Sequence, residues 1–131
     1  MMNRYVDSEH IAPTAGDILS RPKFPFVHRG VYLGNGRVLH NTPAHGEHVS
    51  DIATFAQTHQ VSVERISGHK KAEIRHRAFQ TIIRPAPYNA VKNNCDHTVT
   101  RITEGIPTSQ QLLFTILVLL GIASAALVLR K

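Results

Sequence analysis

The sequence predicts an α+β fold, with a small antiparallel sheet packed on helices and a transmembrane helix at its C-terminal end. A glycine-containing turn between two runs of strand-forming residues, from Val27 to Asn41, indicates a β-hairpin. Apolar residues at helical spacing from Lys70 to Ile83 indicate an amphipathic helix. An uncharged apolar run from Leu112 to Leu129 is long enough to cross a bilayer. These three features describe one small mixed domain followed by a membrane anchor.

The hairpin is specified in more detail than the rest of the sheet. If Gly34 to Gly36 form a three-residue loop, Gly30 pairs with His40 across the two strands. His28 and His40 then share one face of the sheet as diagonal neighbours, about 7–8 Å apart, and Gly30 leaves open space beside both rings. A two-residue loop or a bulge changes this register. The opposite face carries the apolar residues of a core: Val27, Val31, Leu33 and Leu39.

Shorter patterns predict the remaining elements. Asp51 to Gln57 is a candidate short helix, and Val61 to Ile66 is a candidate third strand. The long helix from Lys70 to Ile83 repeats apolar residues at helical spacing: Ile74, Ala78, Phe79 and Ile82. A last helix of the domain runs from Asn94 to Glu104, and Gly105 caps its C-terminal end.

Residue counts limit the organisation and the partners of the chain. Its 131 residues divide into a domain over 1–105, a linker over 106–111 and a transmembrane helix over 112–129. The net charge of +6 suits contact with anionic lipid headgroups. With five Phe, three Tyr and no Trp, aromatic residues that stack on nucleic-acid bases are sparse. We therefore expect a membrane partner and no nucleic acid.

The expected location is a membrane, with a single C-terminal anchor and the domain in the cytoplasm. One cysteine excludes an intramolecular disulfide, which favours a reducing compartment, and Met1 to His10 lacks the apolar core of a signal peptide. Arg130 and Lys131 favour the opposite orientation, but moving only two charged residues across the membrane is a small barrier. Gly121 and Ala125 form a small-xxx-small pair, which offers a surface for self-association.

The single cysteine, Cys95, lies at the start of the helix predicted from Asn94. Free amide N–H groups and the positive end of the helix dipole favour a thiolate there. Its neighbours Asn93, Asp96 and His97 are polar, which does not suit a cysteine chosen for packing. We therefore expect Cys95 to be a nucleophile, with a histidine as base and a third group that orients the base. The hairpin histidines are the candidates, whereas His97 points to another side of the helix and is expected to be structural.

No cofactor and no metal are expected. His45, Glu47 and His48 lie close in sequence, but their spacing matches no established zinc pattern, and a polar surface loop is the expected structure. Gly34 and Gly36 belong to the hairpin turn and not to a phosphate-binding loop. The chemistry is therefore assigned to protein side chains alone.

Two blocks of the sequence carry a family resemblance. The first joins Gly16-Asp17-Ile18-Leu19 to the hairpin from Phe26 to His40, and the second runs from Tyr88 to Val99 around Asn94-Cys95-Asp96-His97-Thr98-Val99. They are similar to the histidine-bearing hairpin and the Asn-Cys-Glu-His-Phe-Val signature of the lecithin–retinol acyltransferase family. That family includes the H-Ras-like suppressor phospholipases and acyltransferases. The resemblance covers most of residues 13–105, and many members share a hydrophobic C-terminal segment.

The resemblance implies a circularly permuted papain-like fold and an acyltransferase or phospholipase A-type activity. It implies Cys95 as the nucleophile, His28 as its base and His40 as the residue that orients the base. The acyl group of a glycerophospholipid ester would pass through a thioester on Cys95 to water, an amine or a hydroxyl. Asn94 would help to position the site, and the Cys95 main-chain N–H at the helix start would contribute to an oxyanion hole.

Four positions depart from the family pattern. Arg29 stands where many members have Trp, and Phe26 stands where some have Tyr two residues before the first histidine. In the second block, Thr98 replaces Phe and Asp96 replaces Glu. These differences bear on the identity of the substrate more than on the nucleophile.

Two other functions are compatible with the same residues. A cysteine peptidase or amidase would use the same three side chains on a different acyl donor, and a comparison of phospholipid with peptide substrates separates the two. A non-enzymatic, membrane-tethered interaction protein would have the same fold without catalytic activity. Its Cys95 would react with an alkylating probe at the rate of an ordinary thiol.

Overall fold

A computed structural model describes residues 5–6 and 12–130 of the chain, with only the main chain at Tyr5 and Val6. Residues 1–4 and 7–11, which include most of the segment tested for a signal peptide, lie outside the described residues, as does Lys131. The strands are β1 (Tyr5–Val6), β2 (Ile18–Lys23), β3 (Phe26–Gly34), β4 (Arg37–Thr42), β5 (Gly46–Asp51) and β6 (Val61–Glu64). The helices are α1 (Ile52–Ala56), α2 (Lys71–Ile83), α3 (Cys95–Glu104) and α4 (Gln110–Leu129).

The strands of the described residues form one sheet in the order β1-β6-β2-β3-β4-β5. The five strands from β6 to β5 pair antiparallel, and the short β1 pairs parallel to β6. With helices packed on this sheet, the predicted α+β class is confirmed. The hairpin, the short helix and the third strand form where the sequence predicted them. The strands β2 and β5 were not predicted, because charged residues and Pro22 obscure their alternating pattern.

The register of the hairpin brings Gly30 opposite His40, as predicted. A bulge between Tyr32 and Gly34 shifts the ladder close to the turn, so it leaves the histidine pairing unchanged. Asn35 in the turn has a φ of 52°, in the left-handed region that asparagine tolerates better than most residues. The local turn sequence therefore places the two histidines on one face.

Two hydrophobic cores lie on the two faces of the sheet. Because side chains alternate along a strand, Val31 and Leu39 point to one face while Tyr32 and Val38 point to the other. The first pair packs with Ile18 and with residues of α2 and α3: Ile74, Ala78, Val99 and Ile102. The second pair packs with α1 and neighbouring strands: Leu19, Phe55, Ala56 and Val61. The hairpin is thus covered on both faces, and His28 and His40 lie on the α1 side.

Three residues that the apolar pattern assigned to the core are exposed. Val27 lies near the open end of β3 and is 43% exposed, while Phe79 and Ile82 of α2 are 61% and 42% exposed. The buried apolar residues of α2 are Ile74 and Ala78, which face α3 and the sheet. The helical periodicity located α2 correctly, but only two of the four apolar residues that indicated it are buried.

The segment predicted as a polar surface loop is instead the edge strand β5, and Glu47 within it is buried. Its carboxylate accepts hydrogen bonds from Thr98 Oγ1 at 2.7 Å and from the Ala86 main-chain N–H at 2.8 Å. It also pairs with the Arg101 guanidinium. Glu47 therefore joins β5 to α3, and Thr98, one of the departures from the family pattern, belongs to this network.

Helix α3 has a cap at each end. The Asn94 side chain accepts a hydrogen bond from the His97 main-chain N–H, and His97 Nδ1 accepts one from the Asn94 N–H, each at 3.1 Å. This reciprocal capping box satisfies two amide groups and explains His97 as a structural residue. Gly105 follows the helix with a φ of 82°, as a left-handed cap. The caps fix Cys95 as the first residue of α3.

The C-terminal helix α4 is long and apolar enough to cross a membrane. It has 20 residues and a mean hydropathy of 2.8, and its apolar stretch is not buried against the rest of the protein. It begins at Gln110, two residues before the predicted span, because Ser109 caps it by accepting the Leu112 N–H at 3.1 Å. Pairing of two such helices through Gly121 stays a prediction.

Candidate active site

His28 and His40 form a buried imidazole pair. Nε2 of His28 lies 2.9 Å from Nδ1 of His40, and the two side chains are 1% and 4% exposed. The ring of Phe55, from α1, packs 5.3 Å from the His28 ring and 5.2 Å from the His40 ring. The open space expected beside Gly30 is absent, since a Cβ there would lie 2.7 Å from Val38 Cγ1 and 3.0 Å from Phe55 Cε2. Phe55 and Val38 fill it and hold the pair in place.

The hydrogen bonds beyond His40 decide which nitrogen of each ring carries its proton. The Ser50 hydroxyl donates to the main-chain carbonyl of Asp51 at 3.2 Å, so it accepts from Nε2–H of His40 at 2.7 Å. His40 then has a lone pair on Nδ1 and accepts from Nε2–H of His28. The lone pair of His28 is consequently on Nδ1. The assignment follows from this network and leaves Nδ1 of His28 as the basic atom of the pair.

Both histidines are neutral near pH 7. Burial lowers the pKa of His28 to about 3, and the positive charges of Arg21 and Lys23 act in the same direction. Burial likewise lowers the pKa of His40 to about 3, with a further contribution from His28. A neutral His28 accepts a proton without first losing one, which is the state that a general base requires.

Cys95 contacts the first residues of β3, where that strand has no hydrogen bonds to β4. β4 pairs with β3 only from Gly30 onward, so the main chain before that residue faces α3. The sulfur of Cys95 lies 3.9 Å from the Val27 carbonyl oxygen, and the Arg29 main-chain N–H also hydrogen-bonds to it. The nucleophile predicted from the sequence therefore lies against the main chain on both sides of His28.

The structure brings the two histidines together, and it brings Cys95 to the strand that carries one of them. Within residues 12–130, neither imidazole hydrogen-bonds to the sulfur. Proton transfer between Cys95 and His28 therefore requires rotation of a side chain, and catalytic hydrogen bonds often tighten only when substrate is bound. Cys95 is partly exposed, so its side chain has room for this movement.

The electrostatics at Cys95 differ from the sequence-based expectation of a thiolate. Burial raises the pKa of the Cys95 thiol, and the neighbouring Asp96 carboxylate raises it further. The Arg29 amide and the charges of Lys23 and Arg29 oppose this effect but do not reverse it. The resting form is consequently the thiol, because desolvation of the anion outweighs the Arg29 amide and the nearby positive charges.

Sequence reasoning missed Arg21 and gave no weight to the residues before the membrane helix. Arg21 on β2 is buried, and its Nε–H donates to the Phe55 carbonyl oxygen at 2.6 Å. Its charge interacts with both His28 and Cys95, so an anion formed between them is stabilised. A charged residue beside a proline gave no signal of this role, which depends on β2 pairing with β3.

Asp96 and Gln111 connect the site to the start of α4. Gln111 Nε2 donates to the Asp96 carboxylate and to the Val27 carbonyl, each at 2.9 Å, and its Oε1 accepts the Val27 N–H at 2.7 Å. Asp96 also accepts from Ser109 Oγ at 3.1 Å and pairs with Arg29 at 3.5 Å. Two departures from the family pattern, Arg29 and Asp96, thus bind one another. The segment predicted as a linker is part of the support for the site.

Asn94 caps α3 and also bonds to the segments that precede and follow this helix. Its side-chain NH2 donates to the Ala90 carbonyl and to Ser109 Oγ, each at 3.2 Å, while its oxygen caps α3. These bonds hold the loop before Cys95 in place. The Cys95 main-chain N–H is in the first turn of α3, where amides have no partner within the helix. Its contribution to an oxyanion hole stays a prediction.

The antiparallel sheet and the cysteine beside a histidine-bearing hairpin define a class of small α+β proteins with the potential for thiol chemistry. The chain belongs to the lecithin retinol acyltransferase family, whose family model matches residues 11–108. It is 28% identical to lecithin retinol acyltransferase from Bos taurus and to the one from Homo sapiens, over 73% of this chain and 56% of each relative. It is 25% identical to human phospholipase A and acyltransferase 2, over 87% of this chain and 86% of that protein. The chain spans about half the length of the two lecithin retinol acyltransferases.

Proposed function

We propose that this protein is a membrane-anchored cysteine acyltransferase or phospholipase A-type enzyme that acts on glycerophospholipids. Cys95 is the nucleophile, His28 is the general base and His40 orients His28. Membership of the family and the names of the relatives, lecithin retinol acyltransferase and phospholipase A and acyltransferase 2, support an acyl-transfer function. The observation that carries the assignment of roles is the hydrogen-bonded chain from His28 through His40 to Ser50.

The first half of the reaction forms a thioester. Cys95 Sγ attacks the ester carbonyl carbon of the phospholipid while its thiol proton passes to Nδ1 of His28. The bond from the carbonyl carbon to the glycerol oxygen then breaks, and that oxygen takes the proton from His28. A lysophospholipid leaves, and the acyl group remains on the sulfur. Transfer of the proton during attack suits a thiol whose pKa is raised by burial.

The second half of the reaction releases the acyl group. Water, an amine or a hydroxyl attacks the thioester carbonyl as His28 accepts its proton, and the carbon–sulfur bond breaks. The proton then returns to the sulfur, which restores the thiol. The positive charge that forms transiently on His28 is shared with His40 through their hydrogen bond. Burial makes that charge costly, so it is held only briefly.

Two groups are placed to stabilise the developing negative charge. The Cys95 main-chain N–H at the start of α3 lies next to the nucleophile and suits an oxyanion hole. The buried Arg21 adds a fixed positive charge near the sulfur. Because it is held by the Phe55 carbonyl, this charge needs no reorganisation during the reaction.

The helix α4 anchors the domain to the membrane that contains the substrate, with the domain on the cytoplasmic side. Its length and hydropathy support the anchor. An anchored enzyme meets its lipid at a high effective concentration, as any tethered partner does. The chain is net basic, which suits the anionic cytoplasmic leaflet.

The test is capture of the acyl-enzyme. The full chain, reconstituted in phosphatidylcholine vesicles, is incubated briefly, quenched with acid and analysed by mass spectrometry for an acyl adduct on Cys95. The expected result is a mass increase of one acyl chain that is lost in Cys95→Ala and His28→Gln. The variant His59→Gln is the matched control, because His59 is an exposed histidine outside the site.

Three results would contradict the proposal. An adduct that forms equally well in His28→Gln would remove His28 from the role of base. Cleavage of peptides with phospholipids left intact would replace the acyl donor and point to a cysteine peptidase. Complete absence of turnover on both substrate classes, in a chain with the native circular dichroism spectrum, would favour a non-enzymatic interaction protein.

A further inference from the structure

The turn between β2 and β3 exposes a cluster of apolar side chains. Phe24 is 97% exposed, the largest exposure of any large apolar residue among those the structure describes, and Phe26 is 44% exposed. Val27 beside them is also exposed. A soluble surface rarely gathers apolar residues in this way, and such a cluster marks contact with an apolar partner. The position of the turn identifies that partner.

The turn lies beside the first turn of α4. Gln111 binds the main chain of Val27 through two hydrogen bonds, of 2.7 and 2.9 Å. The apolar run of α4 begins at the next residue, Leu112. Phe24 precedes Val27 by three residues, so at most about 11 Å of extended chain separates it from this contact. When α4 spans a bilayer, the turn therefore lies where the hydrocarbon begins.

The composition of the turn suits a lipid surface better than a protein. From Pro22 to Val27 it contains two phenylalanines, two prolines, one valine and one cation, Lys23, and no acidic residue. An exposed lysine next to aromatic residues extends its ammonium toward headgroup phosphates while its methylene stem stays near the acyl chains. The aromatic residues occupy the adjacent boundary between headgroups and hydrocarbon.

We propose that Lys23–Phe26 inserts into the headgroup–hydrocarbon boundary of the membrane that α4 spans, and so docks the Cys95 site onto its phospholipid substrate. The inference rests on the proposed function for the role of α4 as anchor and of Cys95 as nucleophile. The sulfur lies 3.9 Å from the Val27 carbonyl, one residue beyond the turn. Docking therefore brings the ester group of a lipid to the nucleophile without lifting the lipid out of the bilayer.

Tryptophan fluorescence tests the insertion directly, because the natural chain contains no Trp. The full chain carrying Phe24→Trp is reconstituted in vesicles with and without phospholipids brominated near the ester end of their acyl chains. Phe114→Trp, in α4, is the positive control, and His59→Trp, at an exposed polar position after α1, is the negative control. We expect strong quenching at positions 24 and 114 and none at position 59.

The outcomes separate this inference from the enzymatic proposal. Quenching at position 24 without any acyl adduct on Cys95 would support membrane docking and count against the enzyme. An acyl adduct with no quenching at position 24 would overturn the docking alone. A blue-shifted but unquenched emission at position 24 would show that the turn packs against protein, which also overturns it.

A kinetic comparison gives a second, independent test. Phe24→Ser is expected to lower turnover of phospholipid in vesicles about tenfold, because one buried aromatic contact with the bilayer is lost. Its rate on a water-soluble short-chain ester should stay unchanged, since the site itself is intact. His59→Ser, at an exposed polar position, is the control and should leave both rates unchanged. An equal loss on both substrates would show damage to the site rather than loss of docking.

Discussion

The buried histidine pair is expected to make the domain sensitive to mild acid. His28 and His40 have folded-state pKa values of about 3, against about 6.5 in an unfolded chain. As pH falls below 6.5, these histidines bind protons in the unfolded chain but stay neutral in the folded chain. Stability from these two groups is therefore fully present above pH 6.5 and is lost progressively down to pH 3.

The size of the effect follows from the pKa difference. Between pH 7.5 and pH 5, proton binding stabilises the unfolded chain by about 2 kcal/mol for each buried histidine. The lower pH lies about 1.5 units below the unfolded pKa, and each unit contributes about 1.36 kcal/mol. The free energy of unfolding of the wild type should therefore fall by about 4 kcal/mol over this range because of the pair. His40→Asn removes one titrating ring but keeps an acceptor for His28, so it should lose about 2 kcal/mol less than the wild type.

The assay is urea unfolding in detergent micelles at both pH values, followed by near-ultraviolet circular dichroism and extrapolated linearly. Although burial raises the pKa of Asp17, hydrogen bonds from Thr14 and Ile66 lower it overall, so this carboxylate titrates below the chosen range. Burial also lowers the pKa of His97, which affects both proteins alike and cancels in the difference. His59→Asn, at an exposed position, is the control and should behave as the wild type. The same pH dependence in His40→Asn and wild type would contradict a buried neutral pair.

Two further substitutions probe the supports of the site. Gln111→Ala should lower phospholipid turnover about tenfold, because the hydrogen bonds that join α4 to β3 are lost. Gln110→Ala, at the exposed neighbouring residue, is the control and should leave the rate unchanged. Equal rates in the two variants would exclude the role of Gln111. Glu47→Gln should lower the free energy of unfolding by about 2 kcal/mol, because Arg101 loses a buried counterion while remaining partly exposed. Glu64→Gln, which removes a mostly exposed carboxylate, should cost less than about 1 kcal/mol in the same urea titration. A smaller loss for Glu47→Gln than for Glu64→Gln would refute the buried network.

The features that the sequence predicted well are those with local causes. The turn from Gly34 to Gly36 sets the hairpin register, and through it the pairing of Gly30 with His40. Asn94 and Gly105 delimit α3, because capping depends on residues within one helical turn. The apolar run of α4 is visible without any partner. Prediction was weaker for β2 and β5, whose residues form strands only because neighbouring strands pair with them.

The sequence by itself determined that a cysteine begins a helix, that two histidines share one face of a hairpin and that an apolar helix follows. The tertiary structure alone decided the chemistry of these groups. Ser50, brought by β5, places the lone pair on Nδ1 of His28, and burial makes both rings neutral and Cys95 a thiol. Desolvation and contacts between distant segments are properties of the packed chain, and no spacing of residues along the sequence expresses them.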